Sequence, residues 1–216
     1  MADPAWRGDY LDLEGTGYAT AAYWGEAPSI FLVSIPPADE LPGRPAGSAR
    51  ALDLGCGQGR NAAALAAKGY RVDAVDALAP AVDWVRRAAV PGVVATQADA
   101  LDVLRGTPPG RYDVVLANHL VQHLADLAAV GRFVELATLA LRPDGYLALS
   151  YFTEPLHLHP ADVRESALVL GRGVVYPTFF QGPSFELVFF QFDVMADAHG
   201  EPHRHPLERL IVQRRS

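Results

Sequence analysis

Short, dense apolar runs alternate along the chain with longer stretches in which apolar residues return every three or four positions. The runs 51–54, 70–75, 93–96, 111–117 and 146–152 have strand length, and RYDVVLA at 111–117 is apolar enough to be covered on both faces. Between them Leu78, Val82 and Val85 step at helical spacing after Pro80. Leu124, Leu127, Val134, Ala137 and Leu141 do the same before the stop-and-turn Arg142-Pro143-Asp144-Gly145. A shorter helix begins at Ala27 and ends before Pro36-Pro37, a proline- and glycine-rich linker fills 36–49, and another helix is expected over 161–170. Strands alternating with helices predict an α/β fold with a parallel sheet. The last two runs, 185–194 and 207–212, have no helix between them and predict a closing antiparallel pair. Residues 185–194 are apolar on both faces, which predicts a central or well-covered strand.

The chain is organised around residues 51–76, ALDLGCGQGRNAAALAAKGYRVDAVD, which read as strand, glycine-rich turn, alanine-rich helix closing at Gly69, second strand and terminal acid. Glycine at 55, 57 and 59 permits positive φ and close approach of a ligand to the backbone, and free N–H groups at the helix start would favour electron-rich partners. A dinucleotide fingerprint needs glycine at position 60, where this chain has Arg60, so pyrophosphate binding is disfavoured.

Asp53-Leu54-Gly55-Cys56-Gly57-Gln58-Gly59 together with Asp76 resembles the first motif and ribose-binding acid of class I S-adenosylmethionine-dependent methyltransferases. LRPDGYLALS at 141–150 resembles the helix, turn and strand that follow the active-site strand in that family, and the resemblance covers most of 22–152. Tyr23-Trp24-Gly25-Glu26-Ala27-Pro28-Ser29, with His203 and His205, is similar to small-molecule methyltransferases of the tellurite-resistance and thiopurine type. The resemblance implies a seven-stranded, mainly parallel Rossmann-like sheet with helices on both faces and an antiparallel final strand. It also implies S-adenosyl-L-methionine as cofactor. Asp53 would reach the methionine ammonium directly or indirectly, Gly55, Gly57 and Gly59 would offer backbone contacts, and Asp76 would bind the ribose hydroxyls. Asp99 matches the acid placed near the adenine amino group, and it equally suits a helix N-cap; both roles can coexist. Asn118, counted with the cofactor-binding residues, and His119 fall at the tip of the fourth strand, beside the methyl donor.

The 216 residues, half of them hydrophobic, suit a single domain. Within it we distinguish an amino-terminal lid region (1–35), a cofactor-binding core (50–152), a substrate-side insert (153–183) and closing antiparallel strands (184–216). The net charge of -7 offers no basic footprint for a phosphate backbone, so a small-molecule acceptor is expected and nucleic acid is not. The fourth strand ends in Asn118-His119-Leu120-Val121 rather than Asn-Pro-Pro-Tyr, which also disfavours base methylation. Cys56 is the single cysteine, and neither a leader nor a membrane-length apolar run is visible; a cytoplasmic protein is expected. Monomer and homodimer both remain open.

Methyl transfer asks the protein to align donor and acceptor, exclude water and, where needed, take a proton. His119 is the first candidate base and His123 the second, against the alternative that both are half-buried packing residues. Tyr18, Tyr23, Trp24, Tyr176 and Phe179 are expected to wall the acceptor pocket; for the amino-terminal aromatics the alternative is that they pack the lid onto the core. His157 with His159, and His203 with His205, have paired spacing but lack cysteine partners or a compact HExxH helix, and no metal site is assigned. Two other classes compete: a protein that binds the cofactor without methylating, such as a cyclase or regulator, and a dinucleotide oxidoreductase.

Overall fold

The computed structural model describes residues 27–153, 168, 170–197 and 203–216. Strands β1 (Arg50–Leu54), β2 (Arg71–Asp76), β3 (Val93–Gln97), β4 (Tyr112–Asn118) and β5 (Leu141–Phe152) are paired in parallel. The closing strands β6 (Phe185–Asp197) and β7 (His203–Arg214) are antiparallel to each other, and β7 is antiparallel to β5. Together they form a seven-stranded sheet of order β3-β2-β1-β4-β5-β7-β6. The order reverses between β1 and β4, and open α/β sheets hold ligands in the crevice outside the strand carboxyl ends at such a point.

Alternation along each strand divides the core into two layers. Leu52, Leu54, Val115, Ala117, Leu147, Leu149, Leu210 and Val212 face one layer, beneath α3 (Ala100–Gly106), α4 (Leu127–Ala140) and α5 (Val175–Phe179). Ala51, Ala74, Val114, Leu116, Ala148 and Ile211 face the other, beneath α1 (Arg60–Ala67), α2 (Ala79–Ala88) and the 3-10 turn Ile30–Ser34. Phe133, fully buried on α4, anchors the first layer and Phe31 the second; each such side chain contributes roughly 1.5–3 kcal/mol. The short helix expected from Ala27 is this 3-10 turn, preceded by Ser29, whose side chain makes no capping hydrogen bond.

Two expectations are corrected. Residues 185–194 do not form a central strand: β6 is the sheet's edge, and Leu187, Phe190 and Val194 are 37%, 47% and 44% exposed. The inner place belongs to β7, whose consecutive Leu210, Ile211 and Val212 are wholly buried. Cover on β6 is local: Phe189 meets Phe31 at 6.4 Å, Phe185 meets Phe180 at 5.4 Å, and the Arg172 guanidinium lies 3.7 Å from the Phe192 ring centre. Most of the expected helix 161–170 lies outside the described residues, but its end is extended. The Leu168 and Leu170 amides donate to the carbonyls of Gln122 (2.7 Å) and Phe152 (3.3 Å), and Leu170 bridges Thr153. Among the described residues no helix is long and apolar enough to cross a membrane.

At the amino ends of the strands, buried Asp113 gathers the linker and the sheet. It accepts from the Arg44 guanidinium and from the Arg50 amide at 2.8 Å, with Arg142 Nε at 3.8 Å. Asp73 nearby accepts from Arg50 and from the Tyr112 hydroxyl, both at 2.8 Å. Removing one partner of a buried pair leaves the other charged and unsolvated, which costs about 3–5 kcal/mol. Asp113→Ala, by stranding Arg44, is therefore expected to destabilise the fold by about that amount in urea titration; a loss below about 1 kcal/mol would mean that the pair is solvated and worth no more than a surface bridge.

Candidate functional site

The turn from β1 into α1 forms the floor of an open cleft at the carboxyl ends of the strands. Gly59 holds φ +82°, and a Cβ there would stand 2.8 Å from Val85 Cγ2 on α2. Only glycine lets the chain turn so sharply and still pack α1 beside α2. Gly55, at φ +68°, leaves room for Leu120, whose Cδ1 would sit 3.2 Å from an added Cβ.

Four amides of the turn itself are paired within the protein. Gly55 and Cys56 donate to the Val75 carbonyl at 2.8 and 3.0 Å, Gly57 donates to Asp76 Oδ2 at 2.9 Å, and Gly59 donates to the Cys56 carbonyl at 2.9 Å. Buried backbone groups must be paired, and here β2 pairs them. The glycines thus contribute shape and close approach rather than unpaired donors.

Four parts of the fold line the cleft. The turn and α1 contribute Gly55 to Gln58, Arg60 and Asn61; the β2 end contributes Asp76 to Leu78; the β3 end contributes Ala98 to Leu101. The β4 end contributes Asn118, His119, Leu120, His123 and Leu124. Of the residues singled out from the sequence, Gly55, Gly57, Asp76, Asp99, Asn118, His119 and His123 thus meet around one space.

Asp76 is pre-set in orientation, because Oδ2 accepts from Gly57 and Oδ1 from the Leu78 amide at 2.9 Å. Burial raises its pKa, and the hydrogen bonds from Leu78, Gly57 and Ala77 oppose that. Each oxygen keeps a lone pair for a further donor. Asp99 caps α3, accepting from Leu101 at 2.8 Å and Asp102 at 3.2 Å, while still lining the cleft.

Asp53 lies below the turn rather than on the cleft wall. It is 1% exposed, and neither of its oxygens closes a hydrogen bond among the described residues. Desolvation pushes its pKa up to about 7, with repulsion from Asp76 adding to the effect and the Ala62 amide and Arg60 guanidinium opposing it. Burial thus favours the protonated form of this carboxyl, and a nearby cation would favour the ionised one.

At the β4 tip the backbone takes a left-handed conformation at His119, φ +58°. Such a conformation in a non-glycine residue stores strain of a kind that gathers at functional sites. The His119 amide donates to the Ser150 carbonyl and hydroxyl, each at 3.1 Å, and its ring lies 5.7 Å from that of Phe152. Asn118 Oδ1 receives the Ser150 and Ser29 hydroxyls, both at 2.9 Å, and the Ser29 amide donates to Asn61 Oδ1 at 2.9 Å. Ser29, Asn61 and Ser150 were not singled out from the sequence. Ser150 carried a signal, a lone polar residue inside an apolar strand; Ser29 carried none, since its partner is 89 residues away.

Tyr176 and Phe179 are not among the lining residues. Both are half-buried against the first core layer, where Tyr176 stacks on Phe180 at 6.1 Å and Phe179 packs over Gly131 of α4. Burial of apolar area draws these rings to the core. Tyr18, Tyr23, Trp24, His157 and His159 lie outside the described residues. Among the described residues no group of three or more His, Cys, Asp or Glu could hold a metal.

A family profile described as "Methyltransferase domain" matches residues 34–192. The chain is 33% identical over 117 residues to the ubiquinone biosynthesis O-methyltransferase of Xylella fastidiosa (strain 9a5c), covering 52% of this chain and 45% of that one. It spans about half the length of the curated relatives it matches. Among solved structures, the fold is similar to Burkholderia thailandensis 1,6-didemethyltoxoflavin-N1-methyltransferase bound to 1,6-didemethyltoxoflavin and S-adenosylhomocysteine. There the TM-score is 0.65 at 21% identity, covering 100% of this chain and 92% of that one. TehB from Haemophilus influenzae aligns with a TM-score of 0.59 at 16% identity, over 77% of this chain and 57% of that one. At these identities the structural likeness is one of fold.

The burial of Asp53 has a pH signature. Its pKa is higher in the folded than in the unfolded chain, so between about pH 4 and about pH 7 the unfolded state alone ionises it. Stability therefore falls as pH rises through that window, by up to about 1.4 kcal/mol per pH unit, and the penalty is constant above it. Asp53→Asn should remove this slope, so that the variant gains stability on the parent between about pH 4.5 and about pH 7.5 in urea titrations. A variant-minus-parent difference that stays flat across the window would show that Asp53 ionises normally.

Proposed function

The chain belongs to the methyltransferase-domain family, and on that premise we propose that it transfers a methyl group from S-adenosyl-L-methionine to an oxygen, nitrogen or sulfur atom of a small molecule. The observation that supports this reading best is the convergence of the glycine turn, Asp76, Asp99 and the Asn118–His119 tip on one cleft. The residues suit the cofactor. Asp53 offers a buried carboxyl below the turn whose ionised form a nearby cation would favour, Asp76 a fixed two-oxygen acceptor for a vicinal diol, and Asp99 an acceptor at the β3 end.

S-adenosylmethionine supplies a methyl group activated by its positively charged sulfur. The protein's part is to hold, align and dry the reacting groups. Asp53 balances an ammonium through the turn, Asp76 holds the ribose hydroxyls, and Asp99 receives the adenine amino group while it caps α3. Leu120 and Leu124 supply apolar walls beside the β4 tip. His119, lining the cleft next to Asn118, accepts the proton of a hydroxyl or amine acceptor, and His123 stands on the same wall.

Calorimetry with S-adenosylmethionine, followed by mass spectrometry of candidate acceptors for one added methyl group, tests the function. Binding without methylation of any acceptor would favour the cyclase or regulator class, and binding of NAD instead would favour the oxidoreductase. Asp76→Ala should weaken cofactor binding by about 1.5–3 kcal/mol, roughly ten- to a hundred-fold. Unchanged affinity would remove Asp76 from the ribose site. His119→Ala should lower turnover by about a hundred-fold or more with cofactor affinity nearly intact; parent-like turnover would leave it a packing residue.

A further inference from the structure

The polar side chains at the β4 tip carry orientation information that bears on which atom is methylated. Ser150 is wholly buried in β5, and its oxygen already accepts the His119 amide at 3.1 Å. Its hydroxyl proton needs an acceptor of its own, and Asn118 Oδ1 stands 2.9 Å away. Ser29 sends its hydroxyl to the same oxygen, also at 2.9 Å, while its amide is tied to Asn61. Reversing the Asn118 carboxamide would aim the amide nitrogen at both hydroxyls and strand the buried Ser150 proton. Leaving a buried donor unmade costs far more than a typical hydrogen bond contributes, so the orientation with Oδ1 toward the serines wins. Asn118 lines the cleft, and Nδ2 makes no hydrogen bond among the described residues. The serines therefore take the acceptor end of Asn118 and leave its two N–H donors for the cleft.

We infer that Asn118 is a specificity-determining donor that selects an acceptor presenting a lone-pair oxygen over one presenting amine N–H groups, with Ser150 and Ser29 as the residues that position it. This rests on the function proposed above and narrows its acceptor class to hydroxyl compounds. An Asn118 N–H can donate to one lone pair of a hydroxyl oxygen while the other attacks, whereas the single lone pair of an amine cannot both accept that N–H and attack the methyl group. The step balances: the hydroxyl proton passes to an imidazole or to solvent, an oxygen lone pair forms the O–CH3 bond, and the C–S pair returns to sulfur. The products are an ether and a neutral thioether. An amide-bearing residue turned the opposite way would favour nitrogen acceptors, so the two serines, remote in sequence, decide what the asparagine selects.

The test uses the full chain with S-adenosylhomocysteine bound, and two probes of matched shape, catechol and ortho-phenylenediamine. Failure of S-adenosylhomocysteine to bind in calorimetry would defeat the proposed function itself, before either probe is added. With it bound, catechol should bind at least ten-fold more tightly than the diamine and should shift the Asn118 side-chain NH2 pair in nitrogen-edited NMR, that pair being identified by its loss in Asn118→Asp. Asn118→Asp should cancel or reverse the preference. Ser150→Ala should lower it several-fold with cofactor affinity unchanged, and Ser150→Thr, which keeps the hydroxyl, should restore it. If Ser150→Ala does not fold, the parent protein and Asn118→Asp decide the matter. Equal or tighter binding of the diamine, an unmoved Asn118 pair, or no binding of either probe to the cofactor-loaded protein would overturn the inference and leave the cofactor assignment standing.

Discussion

The chain must leave a fully buried strand and enter a helix within residues 55–59 without stranding a backbone amide, and the rest of the site depends on how it does so. Left-handed glycine makes the turn possible, and the end of β2 completes it: Val75 accepts two of the amides and Asp76 a third. Asp76 is consequently both a structural clasp and a cleft-lining carboxylate. Its orientation is fixed by the turn it supports, so the floor of the cleft and one of its polar groups are set by a single arrangement.

The same turn explains the unusual state of Asp53. The residue shares a face of β1 with Ala51, toward the helices, and the turn closes over it. A carboxyl so little compensated at such depth is a local cost to the fold. Repulsion from Asp76 raises that cost. Strain at the β4 tip, in the left-handed His119, is a second local cost facing the same cleft.

The far edge of the sheet follows different physics. The β6–β7 hairpin pairs over a long register, and β7 alone continues the sheet from β5. Packing on β6 is concentrated where aromatic rings from the 3-10 turn and from the region of α5 reach it, leaving Phe190 and Val194 half-exposed. Glu208, wholly buried on β7, accepts the Tyr151 hydroxyl at 2.7 Å and the Gly173 amide at 2.6 Å, and so ties the loop before α5 to the sheet. Tyr176 and Phe179 are held in the core layer beyond that loop.

Local pattern determined the features that depend on neighbours in sequence. Strand and helix alternation, the glycine turn with its preceding and following acids, and the cap at Asp99 all express constraints that act within a few residues, and the sequence carried them. The strand end at Asn118–His119 was legible for the same reason. Tertiary structure decided the rest. An apolar run on two faces states that a strand can be buried but not which neighbour buries it, so β7 took the inner place and β6 the edge. The partners of the turn's amides could not be read until β2 came alongside the turn. The aromatic rings of Tyr176 and Phe179 could serve a pocket or a core equally well, and packing against α4 and Phe180 chose the core. The orientation of Asn118 is the clearest case: it is set by two hydroxyls 89 and 32 residues away, and only folding brings three such groups within hydrogen-bond reach.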